Sequence, residues 1–116
     1  MNNYRLVNLD VLSGGNVLIG PEVGEGKTQT TDMMLGFNRN DSPWDTEMHY
    51  HERSKEIYII LKGGLTFKVG EESVHVEANR MLVVEEGVPH DIEDFHLPIE
   101  FITIRAPAVD DKVVVR

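Results

Sequence analysis

The chain has 116 residues, 41% of them hydrophobic, which suffices for the core of a single domain. It has no cysteine, which excludes a disulfide framework, a thiolate zinc site and a cysteine nucleophile. Acidic residues outnumber basic ones 20 to 11, for a formal charge of -9; such a surface repels nucleic-acid phosphates and anionic membranes and keeps the protein soluble.

The opening MNNYRLVNLD lacks the basic segment and long apolar core of a signal peptide, and no run reaches the length of a membrane-spanning helix. A cytoplasmic protein with no nucleic-acid or membrane partner is expected. Short β-branched and aromatic runs then alternate with turn residues. The expected strands are Arg5 to Leu9, Val17 to Ile19, Thr28 to Phe37, Met48 to His51, Glu56 to Lys62, Leu65 to Val69, Ser73 to Val76, Met81 to Glu85, His90 to Phe95, Ile99 to Arg105 and Lys112 to Val115. Gly63-Gly64 and the region of His96 to Pro98 read as turns between them. No window sustains a 3.6-residue period over helical length, so an all-β sandwich or barrel is predicted. One helical turn near the N-terminus is compatible with this pattern.

The stretch GPEVGEGKT, from Gly20 to Thr28, looks like a phosphate loop but has the wrong glycine spacing. A threonine-rich stretch follows it where a helix would have to begin. It reads as a surface loop. The serines lack the context of a nucleophile elbow.

MHYHERSKEIYIILKGG, from Met48 to Gly64, carries the chemistry. Alternate residues of a strand share a face, so His49 and His51 project together with Tyr50 opposite. Glu56 follows the turn Arg53-Ser54-Lys55 and can meet them from the next strand. His90, after Gly87 and Pro89, is the best further ligand. Glu47 has the parity of His49. A lone histidine near a strand is usually structural, but two imidazoles, a carboxylate and a later histidine in this pattern point to a metal site. His75 reads as solvent-facing and His96 as a turn residue. Ile57 to Leu61 is apolar on both strand faces, so its second face needs a cover, and a homodimer would supply one.

These motifs resemble those of a small single-domain cupin. His49-Tyr50-His51, four residues, Glu56, six residues and Gly63 follow that family's first motif, and Gly87-Val88-Pro89-His90 follows its second. Pro43, Asn79, Glu85 and Asp94 depart from the family at turn or loop positions and leave the ligand positions intact. The resemblance implies one domain over residues 1–116, folded as a double-stranded β-helix or jelly-roll barrel. It implies that His49, His51, Glu56 and His90 bind one divalent transition metal: Fe, Mn, Ni, Co, Cu or Zn. A pocket for a small organic ligand is expected. By parity Tyr58 and Ile60 share the face of Glu56, Ile92 that of His90, and Met33, Leu35 and Phe37 one face of their strand. Trp44 stands in the loop before the metal strand, where it can cap the mouth. The resemblance implies that Phe101 and Thr103 point in, which makes Tyr58, Phe101, Trp44 and Met33 the candidate contacts. Two readings follow: a metal-dependent enzyme, with dioxygenase-like or isomerase/lyase chemistry, or a non-catalytic cupin that binds a metal or small ligand.

Overall fold

A computed structural model of the chain describes residues 3–116. After a one-turn 3-10 helix at Leu9–Val11, capped by the Asn8 side chain, the described residues form nine strands. They are β1 (Gly14–Gly20), β2 (Thr28–Gln29), β3 (Met34–Asn40), β4 (His49–His51), β5 (Lys55–Val69), β6 (Glu72–Glu77), β7 (Met81–Val84), β8 (His90–Ala106) and β9 (Lys112–Val114). One wall runs β2-β1-β3-β8-β4-β9, and β5 bridges from β8 to β6 and β7. The result is the expected jelly-roll β-barrel.

Two strands are longer than the sequence predicts. The Gly63-Gly64 pair does not end a strand, and neither does the His96–Pro98 stretch. They lie opposite each other in the antiparallel β5–β8 ladder, where Lys62 pairs with Glu100 and Gly64 with His96 across register shifts. Such irregularities bend a strand without ending it. Both strands therefore turn the barrel's corner together. His96 accordingly lies within β8, not at a turn. Two further expectations are corrected. Arg5 to Leu9 forms no strand, and Thr28 to Phe37 divides into β2 and β3, with a bend at Thr31 and Asp32 between them. The loop from Pro21 to Lys27 joins β1 to β2 and opens no helix.

The core lies between the walls. Tyr58, Ile60, Leu65, Phe67, Val76, Val84, Ile99 and Phe101 form one buried cluster. Burying each such aliphatic or aromatic side chain contributes roughly 1.5–3 kcal/mol. On the opposite face of β5, cross-strand pairing aligns two apolar rows. Val83, Ile57, Ile104 and Leu35 form one, and Met81, Ile59, Ile102 and Phe37 the other. Ile57 and Ile59 are half-buried, while Leu61, Val83 and Met81 are 43%, 41% and 60% exposed, so the chain alone leaves this face partly open. No helix among the described residues is long and apolar enough to cross a membrane.

Candidate metal centre

Strand β4 brings His49 and His51 to the barrel interior because it pairs with two distant strands. His49 aligns with His90 of β8 on one side and with Val114 of β9 on the other. The turn after His51 returns the chain as β5, which places Glu56 inward. The donor atoms of His49, His51 and Glu56 lie within 4.8 Å of one another. Three imidazole Nε2 atoms approach one carboxylate oxygen, Glu56 Oε1: His49 at 3.5 Å, His51 at 3.6 Å and His90 at 2.7 Å. His90 thus joins through Glu56. Tyr58 Oη donates to the same oxygen at 2.8 Å.

The far nitrogen of each ring is held as well. Nδ1 of His49 donates to the Glu47 carbonyl at 2.8 Å, and Nδ1 of His90 to the Val88 carbonyl at 3.0 Å. Nδ1 of His51 lies 3.0 Å from Oδ1 of Asp111. A carbonyl only accepts, so these contacts put the proton on Nδ1 and turn Nε2 toward Glu56. Metal-binding histidines are oriented in this way. An N₃O donor set with its outer nitrogens tied down fits a divalent transition ion.

The electrostatics agree with the geometry. Burial alone would raise the Glu56 pKa, but the imidazoles of His49, His51 and His90 gathered around its Oε1 outweigh it and hold the carboxyl well below its usual range. The bond to Glu56 raises His49 against the opposing effect of burial. Burial, reinforced by the charge of Glu56, pushes Tyr58 up, so its phenol stays a donor. Burial likewise opposes ionisation of Asp111, yet donors from Arg53, His51 and Ser54 bring it down to about 2.

Beside these groups lies a cavity of about 550 Å³. Tyr58, Phe101, Trp44, Ile92 and Thr103 line it. Trp44 stacks on Phe101 at 5.9 Å and meets Phe95 edge-on at 4.6 Å. Ile60 is instead fully buried in the core. Met33 stands just before β3 and is absent from the described lining. The inward position of β3 is the polar Asn38, paired with Phe101, whereas Leu35 and Phe37 pair outward with Ile104 and Ile102. The apolar side of β3 that carries Leu35 and Phe37 therefore serves the outer face. Sequence reasoning also passed over Asp91 and Lys112 on the cavity wall, where Arg105 lies as well. Arg105 Nη1 donates to the Val109 carbonyl at 2.6 Å, and Lys112 pairs with the Glu47 carboxylate at 3.2 Å.

The sequence pattern of the cupin domain family matches residues 42–104, more than half of the chain. The chain belongs to the cupin family. Solved cupin folds resemble it at low identity. A cupin protein of Bacteroides fragilis, BF4112, is 20% identical with a TM-score of 0.70, over 93% of this chain and 87% of that one. Pac13, a nucleoside dehydratase of Streptomyces, is 20% identical with a TM-score of 0.62, over 75% of this chain and 71% of that one. The DMSP lyase DddQ of Ruegeria pomeroyi is 19% identical with a TM-score of 0.68, over 88% of this chain but only 51% of its own. No curated protein sequence matches this cupin.

Proposed function

We propose that this cupin holds one divalent transition metal on His49, His51, Glu56 and His90 and uses it on a small organic molecule with an oxygen donor. The convergence of three Nε2 atoms on Glu56 beside the 550 Å³ cavity carries this reading. The ion, when bound, supplies Lewis-acid polarisation of a substrate oxygen. Trp44, Phe101 and Ile92 present an apolar wall that excludes water from the substrate's carbon skeleton. Tyr58 remains a hydrogen-bond donor, and the Asp91 carboxylate on the wall is a proton acceptor. A fixed hydrogen-bond donor and a carboxylate base in one small cavity favour proton-transfer chemistry, elimination or isomerisation, over oxygen insertion. A dehydratase and a lyase among the similar folds support the same preference.

The test uses protein purified without a histidine tag, in wild type and loaded with single divalent ions. Small keto and hydroxy acids are incubated in D₂O, and deuterium entry at carbon is followed by NMR. Metal-dependent exchange that Asp91→Asn abolishes is the expected result. Metal-dependent oxygen consumption without exchange would replace this reading with dioxygenase-like chemistry, and bound metal without either would leave a non-catalytic binding cupin. Failure to bind any divalent ion sinks the metal site itself.

We further propose that the open outer face pairs with a second copy of the chain. Two molecules of charge -9 repel except where their contact lacks carboxylates, and the rows through Ile57 and Ile59 are uncharged. Ile59→Lys is expected to convert a dimer to a monomer in light scattering, with its circular dichroism unchanged. A wild-type monomer at micromolar concentration would refute the pairing.

A further inference from the structure

Asp111 lies just before β9, and its side chain is only 1% exposed. Its Oδ2 accepts from the backbone N–H of Arg53 at 2.8 Å and of Ser54 at 2.9 Å. Ser54 Oγ lies 2.9 Å from the same oxygen and 2.7 Å from the Pro107 carbonyl. Its Oδ1 faces Nδ1 of His51 at 3.0 Å and Nη1 of Arg105 at 3.5 Å. Every group around this carboxylate is therefore a donor. A carboxylate has no proton to give, so Nδ1 of His51 must carry one. With that proton on Nδ1, the neutral form of the ring has its lone pair on Nε2, which lies 3.6 Å from Glu56 Oε1.

We infer that Asp111 is a positioning residue that fixes the tautomer of His51 and so makes its Nε2 available to the metal. This rests on the metal reading above. It goes further by assigning control of one ligand to a residue sixty positions away in the chain. The chemistry makes an unusual prediction about two substitutions. An Asn at this position has one accepting and one donating end. The backbone N–H groups of Arg53 and Ser54 cannot become acceptors, so they draw the amide oxygen to their side. The amide NH₂ then faces Nδ1 of His51, which must accept. The ring proton moves to Nε2 and covers the lone pair a metal needs. An Ala leaves His51 free to choose either tautomer. Asn, the closer isostere, is thus the more damaging replacement.

The experiment compares wild type, Asp111→Ala and Asp111→Asn, all without a histidine tag. Zn²⁺ affinity is measured by calorimetry, and the His51 tautomer by ¹⁵N NMR of the metal-free proteins at pH 8. Loss of an outer-sphere partner costs roughly 10–100-fold in metal affinity. Ala is expected near the lower end and Asn near the upper end, with His51 protonated on Nδ1 in wild type and on Nε2 in the Asn variant. An Asn variant that binds Zn²⁺ as well as the Ala variant, or better, would mean that Asp111 only fills space. A wild-type His51 protonated on Nε2 with Nδ1 bare overturns the inference outright, and this arm decides it even if neither variant folds. Wild type that binds no Zn²⁺ while His51 carries its proton on Nδ1 would instead count against the metal reading and uphold the tautomer assignment.

Discussion

His51→Ala is expected to fold and to lose its metal. The imidazole is 6% exposed and contacts both Glu56 and Asp111, so the substitution removes one ligand and the link to the residue that orients it. The fall in affinity should exceed the roughly 10–100-fold typical of losing an outer-sphere partner. The fold should survive, because Asp111 keeps its bonds to the backbone of Arg53 and Ser54, and the apolar cluster from Tyr58 to Phe101 does not include His51. Elemental mass spectrometry of tag-free protein gives occupancy, and circular dichroism reports the fold. Glu56→Gln should act alike, since it keeps the side-chain shape and removes the charge on which three imidazoles converge. Unchanged occupancy in both variants would place the ion elsewhere. The first place to look would be the exposed outer strands, where the rings of His75 and His96 lie 4.8 Å apart.

How much of this centre could be read in the chain depended on distance along it. His49 and His51 were legible because a strand repeats every two residues, and Glu56 because one short turn separates it from them. His90 stood out as the best further ligand from its turn context, but nothing local says that β8 lies beside β4, and only the family resemblance placed it with the others. Asp111 was not legible at all. Its role arises from the pairing of β4 with β9, which sets His51 opposite Lys112, and an acidic pair before a short apolar run carries no signal of that partnership. The inward face of β3 was hidden for a related reason. Alternation along β3 shows that two faces exist, but which of them meets the cavity is decided by its neighbour, where Asn38 pairs with Phe101.

The Gly63-Gly64 pair reads as a turn in the sequence but lies inside β5, and it supports the largest stability prediction. Glycine usually marks a turn, but here Gly63 lies inside β5 with φ +73°. A Cβ at this position would overlap the backbone carbonyl oxygens of Pro98 and His96 in β8. Backbone atoms cannot rotate away as side chains do. Gly63→Ala therefore has to separate the two strands that form the barrel's corner, in addition to meeting the roughly 1–2 kcal/mol cost of a left-handed conformation. A total loss of about 4 kcal/mol is expected, a large fraction of the 5–15 kcal/mol typical of a domain. Gly14→Ala is the matched control: φ is +66°, and a Cβ there would meet nothing within 4 Å. It should show the conformational cost alone, about 1–2 kcal/mol. Urea unfolding of both variants with EDTA present separates the two contributions without interference from bound metal. A clear gap between the variants would show that close approach of β5 and β8 fixes the corner. Equal losses would mean that Gly63 contributes only its backbone freedom, and that the strands have room between them which this structure does not give them.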